Sequence, residues 1–80
     1  MTRDYYTEAY DIVRCLEQDD LNSEAAALVN AIESGSTGTE ILMALRWELQ
    51  RIDESNLALS SHTRRRILDL GSAIAVALDG

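Results

Sequence analysis

The chain of 80 residues is long enough for one domain and too short for a second hydrophobic core. Its apolar fraction of 46% argues against disorder, and its formal net charge of −7 argues against binding to a nucleic-acid backbone. A single cysteine, Cys15, excludes an internal disulfide, and no Cys/His cluster suggests a metal site or other cofactor. The amino terminus lacks the apolar run of a signal peptide, and the longest apolar run, residues 73–78, is too short to cross a bilayer, so we expect a cytoplasmic protein.

The first part of the sequence predicts two helices. Residues 4–18 place their apolar side chains on one side of a helix, and the acidic stretch EQDD ends it. Asn22 or Ser23 is expected to cap the second helix, roughly 23–34, which ends at Gly35. The expected core side chains are Tyr5, Tyr6, Ala9, Tyr10, Ile12, Val13 and Leu16 in the first helix, and Leu21, Ala25, Leu28, Val29 and Ile32 in the second.

A capping box marks the start of the third helix. Thr37 and Glu40 have the spacing at which the Thr37 hydroxyl accepts from the Glu40 N–H and the Glu40 carboxylate bonds back to Thr37. The helix is expected to end near Asn56, followed by a short connection in which Leu57 and Leu59 lie under the core. Its expected core side chains are Ile41, Leu42, Leu45, Leu49 and Ile52.

The fourth helix is predicted to begin at Ser60 or Ser61 and to extend almost to Gly80. Gly71 lies in its middle, where glycine costs about 1 kcal/mol relative to alanine, and we interpret it as a point of close helix–helix approach. Its expected core side chains are Ile67, Leu68, Leu70, Ile74, Ala75 and Leu78.

The pattern as a whole predicts an all-α protein. No segment alternates apolar and polar side chains over a useful length, so no strand is expected. Short connections favour antiparallel neighbours. We therefore predict a single compact domain over residues 1–80, with about four antiparallel helices in a four-helix bundle or an orthogonal variant.

Trp47, the only tryptophan, lies off the core stripe of the third helix. Met43 and Trp47 fall one turn apart on the far side of that helix. Two interpretations are open. The third helix is either central and covered on both sides, for instance by the tyrosines of the first helix, or it presents Met43 and Trp47 as an exposed patch flanked by Arg46, Gln50 and Arg51. Tryptophan, methionine and arginine are enriched at protein–protein interfaces.

All of the net charge lies in the first half of the chain. Residues 1–40 contain nine acidic and two basic side chains, whereas residues 41–80 contain five of each. A field of this sign attracts basic partners. The densest acidic cluster is either a solvated corner or a binding site for a basic partner, because several of its charges lie near a helix C-terminus, where negative charge is disfavoured. The cluster comprises Glu17, Asp19, Asp20 and Glu24.

The basic stretch RRR at 64–66 is the exception to the acidic character. Arg65 and Arg66 can each reach Asp69, three or four residues further on, which favours a solvated face with local ion pairs over a binding role. His62 is expected to face solvent or to cap the helix. No nucleophile motif or phosphate-binding loop is present, so we expect no enzymatic activity.

In size, acidity, helical content and lack of catalytic groups, the chain resembles the small bacterial immunity proteins that neutralise nuclease toxins. The segment TGTEILMALRWELQRI, residues 37–52, is also similar to a recurring core segment of uncharacterised small bacterial proteins, which implies no activity. The first hypothesis is a non-enzymatic protein-interaction module, an inhibitor or immunity protein for a basic partner. The alternative is a self-associating, homodimeric structural or regulatory protein. An arginine-led binder of nucleic acid or a small ligand ranks third, and no membrane association is expected.

Overall fold

Four α-helices form the part of the chain that a computed structural model describes, residues 3–55 and 58–79. Each helix packs against the next one in sequence, and the first also packs against the last, so the helices form a closed ring around one core. The predicted all-α four-helix fold is confirmed. The helices are α1 (Tyr5–Gln18), α2 (Asn22–Ser34), α3 (Gly38–Ser55) and α4 (Ser61–Asp79). The expectations for Asn56, Leu57 and Gly80 concern positions outside the described residues.

Contacts between helix ends show that neighbours run antiparallel. The Asp19 carboxylate, just after α1, accepts a hydrogen bond of 3.1 Å from the backbone N–H of Ser60, just before α4. At the same end of the bundle, Arg64 in the first turn of α4 donates to the Asp53 carboxylate near the end of α3, at 2.6 Å. None of the helices in the described ranges is both long and apolar enough to span a membrane.

The core consists of aliphatic side chains from all four helices, and most of the predicted stripes point into it. Four predicted core residues lie outside the core, because the ring of helices leaves the edges of each stripe uncovered. Leu68 is 51% exposed, Tyr6 and Tyr10 lie at the surface, and Ala75 is half-buried and does not pack into the core. Thr63 is buried without having been expected there, and its hydroxyl is hydrogen-bonded to that of Ser60. The buried apolar residues are Ala9, Ile12, Val13, Leu16, Ala25, Leu28, Ala31, Leu45, Leu49, Ile52, Leu59, Ile67, Leu70 and Ile74.

The turn between α1 and α2 differs from the predicted one. Asp20 has a left-handed backbone (φ 62°), and the Leu21 N–H bonds the Leu16 carbonyl at 2.8 Å, which is the hydrogen bond of a Schellman motif. Because Leu21 leaves this turn directly into α2, it occupies the N-cap position and supplies no side-chain cap. The predicted capping by Asn22 or Ser23 is therefore wrong.

The start of α3 follows the prediction with one change. The Thr37 hydroxyl accepts from the Glu40 N–H at 3.2 Å, as a capping box requires. The Glu40 carboxylate, however, accepts from the N–H of Ser36 at 3.1 Å, one residue before the predicted Thr37. The reciprocal bond still satisfies a free backbone donor at the entrance to the helix.

The close helix approach that the sequence suggested at Gly71 is found at Gly35 instead. A β-carbon built on Gly71 meets no atom within 4 Å, so the predicted close helix approach at this position is wrong. A β-carbon on Gly35 would overlap the Ile41 Cγ1 and lie 3.2 Å from the Ile41 backbone nitrogen. The close approach in this fold thus occurs at the α2–α3 turn, where Ile41 folds back over Gly35.

Candidate functional site

Met43 and Trp47 lie on the outer side of α3, with exposed fractions of 58% and 64%. The opposite side of the helix carries the buried Leu45 and Leu49. Because the four helices form a ring, α3 packs against α2 and α4 and its outer side has no helical neighbour. The interpretation of Trp47 as a core residue covered by the α1 tyrosines is therefore wrong, and the exposed patch is what the structure shows.

The Trp47 indole is contacted by an arginine that also forms an ion pair. The Arg51 guanidinium lies 5.8 Å from the ring centroid, within the range of a cation–π contact. Arg51 also donates to the Glu48 carboxylate at 2.8 Å. That hydrogen bond, with the negative charges of Glu48 and Glu24, raises the pKa of Arg51. The indole is therefore exposed to solvent, with the Arg51 guanidinium over its ring.

A groove between α3 and α4 continues the patch. It consists of two depressions of about 440 and 220 Å³, and both are lined by Arg46 and Gln50. Small side chains of α4 leave the second depression open, and Leu68 stands exposed at its edge. We call this surface the α3–α4 face; it comprises Met43, Arg46, Trp47, Gln50 and Glu54 of α3 and Leu68, Gly71, Ser72, Ala75, Val76 and Leu78 of α4.

The α3–α4 face concentrates the exposed large apolar side chains of the described chain. Apart from Tyr6 and Tyr10 on α1, these are Met43, Trp47, Leu68 and Val76. The charged side chains of this face are Arg46 and Glu54, which have opposite signs, so the face carries no net charge. An apolar, electrically neutral face on a protein of charge −7 is the arrangement expected of a binding surface for another protein.

The four residues of the acidic cluster predicted from the sequence have different environments in the structure. Asp19 is used within the fold, because its carboxylate accepts from the Ser60 N–H, and this bond, with that from the Thr63 hydroxyl, lowers its pKa. Asp20 occupies the left-handed turn position. Glu17 is exposed on α1, whereas Glu24 is half-buried and lies close enough to Arg51 of α3 to contribute to its raised pKa. Within residues 3–55 and 58–79, no group of three or more His, Cys, Asp or Glu side chains could hold a metal ion.

The predicted pairing of Asp69 with Arg65 and Arg66 is also wrong. Asp69 instead accepts from Arg3, which bonds Glu8 as well, at 2.6 and 2.7 Å. Neither Arg65 nor Arg66 forms an ion pair with any described residue. These two arginines are therefore available on the surface.

Sequence reasoning missed the α4 half of the candidate site. The sequence pattern predicts Leu68 in the core and Gly71 at a close helix–helix contact, whereas Leu68 is exposed and Gly71 is open. The available signal was the group of small residues Gly71, Ser72 and Ala75 next to the core side chains of α4. Small side chains at such positions leave a shallow depression on the helix surface. Comparisons with protein-family models, with curated proteins and with solved structures gave no match to this chain.

Proposed function

We propose that this protein is a non-enzymatic protein-interaction module that binds its partner through Met43 and Trp47 of α3. The observation that carries the proposal is the 64% exposure of the single tryptophan, which lies beside the exposed Met43 on the outer side of α3. A large aromatic side chain buries about 150–250 Å² of surface when it is fully covered. Covering the exposed part of Trp47 therefore offers a partner a large gain in hydrophobic free energy. Tryptophan, together with neighbouring arginine, is also the composition typical of interface hot spots.

The contact between Arg51 and Trp47 supports the same proposal. Arg51 is fixed by Glu48 and lies over the indole ring. A side chain that is already ordered loses less conformational entropy when a partner covers it. The position of Arg51 thus supports the α3 surface as a binding surface.

Truncation of Trp47 tests the proposal. Because the side chain is exposed, Trp47→Ala should change the free energy of unfolding by about 0.5 kcal/mol or less, whereas truncating a core tryptophan costs about 3–5 kcal/mol. Leu45→Ala, a buried position on the same helix, is the matched control and should cost about 2–5 kcal/mol. Emission of the single tryptophan at low protein concentration should be red-shifted and accessible to acrylamide. An unfolded Trp47→Ala variant, or a shielded, blue-shifted emission in a proven monomer, would contradict the proposal.

A second candidate function is inhibition of a basic partner, as in the toxin-immunity proteins that the sequence resembles. The distribution of charge supports it, because residues 1–40 carry the whole net charge of −7 and a field of this sign speeds encounter with a basic protein. Glu17 and Asp20, at the C-terminal end of α1, are exposed. In this candidate function the acidic surface steers and contacts the partner, and the bacterial cytoplasm is its expected location.

This second candidate predicts binding to the product of a toxin gene adjacent to the gene for this protein. Calorimetric titration of the two purified proteins should show an affinity that falls steeply with salt, since exposed charges are screened beyond a Debye length. Glu17→Lys and Asp20→Lys should weaken binding, whereas Arg14→Glu, a reversal in the opposite sense on the same helix, should not. Binding that is indifferent to salt and to these reversals would refute the candidate.

A further inference from the structure

We propose that the α3–α4 face binds a second copy of this chain in a two-fold dimer in which Trp47 of each copy sits over Gly71 of the other. The inference rests on the proposed function, because it takes the exposed Trp47 surface as a binding surface. It adds the identity of the occupant and the register of the contact.

Trp47 and Gly71 lie at the same height on neighbouring antiparallel helices. Arg64 bonds Asp53, which fixes the level of α4 against α3 at one end of the bundle. Trp47 is six residues before Asp53 on α3, and Gly71 is seven residues after Arg64 on α4. The two displacements along the bundle axis differ by one residue, which is about 1.5 Å. At the other end, Leu78 lines the same depression as Met43, which agrees with this level.

The shapes at this level are complementary. Trp47 stands out from α3, whereas Gly71 leaves a space that a β-carbon would not fill. Ser72 and Ala75 keep the neighbouring surface of α4 low. A two-fold axis that lies in the interface, between the two helices and parallel to them, places α3 of each copy over α4 of the other. The same rotation places Trp47 of each copy in the hollow at Gly71 of the other copy, which is the reciprocal contact of an isologous interface.

The charges agree with the same rotation. Glu54 follows Asp53 on α3, and Arg65 follows Arg64 on α4, so the two exposed side chains lie within a turn of the same level. Arg65 lies at the margin of the α3–α4 face, on the outer side of α4, where it also lines a depression between α1 and α4. Glu54 accepts a hydrogen bond from the neutral Gln50, and Arg65 forms no ion pair with any described residue. With α3 over α4 of the other copy, Glu54 approaches Arg65 twice in one dimer. Two opposite charges that lack a partner of opposite sign in the described monomer therefore meet across the interface.

The distribution of net charge favours this face over the others. Residues 41–80 are neutral, whereas residues 1–40, which include α1 and α2, carry all seven net negative charges. Pairing through α3 and α4 keeps the acidic helices on the outside, away from one another. A stable interface requires about 800 Å² from each partner. This is about one sixth of the 5019 Å² surface, and one of the four sides of a bundle can supply it.

Sedimentation velocity of the whole chain tests the dimer over a range from about 10 μM to about 1 mM. We expect a monomer that converts to a dimer within this range and no larger species. Trp47→Ala should remain monomeric, and so should Gly71→Leu, which fills the hollow at an open helical position without disturbing the core. Tyr10→Ala, which removes a surface aromatic from α1, should dimerise as the parent does.

Charge reversal tests the register. Glu54→Arg and Arg65→Glu should each weaken the dimer about tenfold, because each places like charges together twice, and the double variant should recover the parental affinity. A dimer that tolerates Gly71→Leu, or a double variant that is as weak as the single ones, overturns the proposed contact. A folded monomer at the highest concentration also overturns it, and the proposed function then stands on the Trp47 measurements alone. A Trp47→Ala variant that unfolds overturns both proposals.

Discussion

One methyl group added at Gly35 and one added at Gly71 should change the stability of this protein in opposite directions. Gly71 lies inside α4, and a β-carbon there meets no atom within 4 Å. Alanine is favoured over glycine in a helix interior by about 0.8–1.0 kcal/mol. With no steric cost to offset this propensity, Gly71→Ala should raise the free energy of unfolding by about 1 kcal/mol, which is about 4–8 °C in Tm for a domain of this size.

Gly35→Ala should destabilise the protein for a purely steric reason. Its backbone angles, φ −78° and ψ 144°, are ordinary for any residue, so no conformational penalty is involved. The new β-carbon would overlap the Ile41 Cγ1 and lie 3.2 and 3.3 Å from the Ile41 nitrogen and Cα. Ile41 is β-branched and packed against the core, so it cannot move freely. Overpacking of this kind costs about 1–3 kcal/mol.

Urea unfolding at low micromolar concentration, below the range of self-association, measures both changes. The two variants should differ by about 2–4 kcal/mol with unchanged m-values. Ile41→Ala is the control background, because it removes the overlapping Cγ1 and should reduce the penalty of Gly35→Ala. A destabilised Gly71→Ala variant would show that the position is not open. A neutral Gly35→Ala variant would show that the α2–α3 turn yields easily and that the close approach has no energetic weight.

Two further predictions concern the ends of α1. Asp20→Gly should stabilise the protein by about 1 kcal/mol, because it relieves a left-handed aspartate and removes a negative charge from a helix C-terminus; an unchanged urea midpoint would contradict this. The pKa values of Asp4 and Asp19 lie below their ordinary value of 3.8, chiefly because the carboxylates accept from the backbone N–H groups of Thr7 and Ser60. Their stabilising contribution is therefore complete well above pH 3.8 and is lost as the pH falls through the lowered pKa values. Urea midpoints between pH 6 and pH 3 should fall less in Asp19→Asn than in the parent, and parallel curves would contradict the assignment.

The helices were predictable from the sequence because their signals are local. The spacing of Leu45, Leu49 and Ile52 places them on one side of a helix in any tertiary arrangement, and all three are buried. The Thr37 cap likewise depends on residues three positions apart. Helix bounds and most of the core followed from such local patterns.

The exposure of Trp47 was not predictable, because it depends on the arrangement of helices. The helical period places Trp47 opposite Leu45, but it does not tell whether another helix covers that side. Only the ring arrangement, in which α3 has two helical neighbours, leaves the tryptophan at the surface. The ion pair between Arg3 and Asp69 was missed for the same reason, because its partners are 66 positions apart in sequence.

The charged and the apolar surfaces of this bundle are separate, and this separation allows the two candidate functions to coexist. The net negative charge belongs to the half of the chain that forms α1 and α2, whereas Trp47 and the hollow at Gly71 belong to α3 and α4. A dimer formed through the α3–α4 face leaves the acidic surfaces of both copies in solvent. One basic partner can then contact both surfaces. Trp47→Ala should then abolish dimerisation but only weaken partner binding by the loss of the second contact, whereas Glu17→Lys should weaken partner binding and leave the dimer intact.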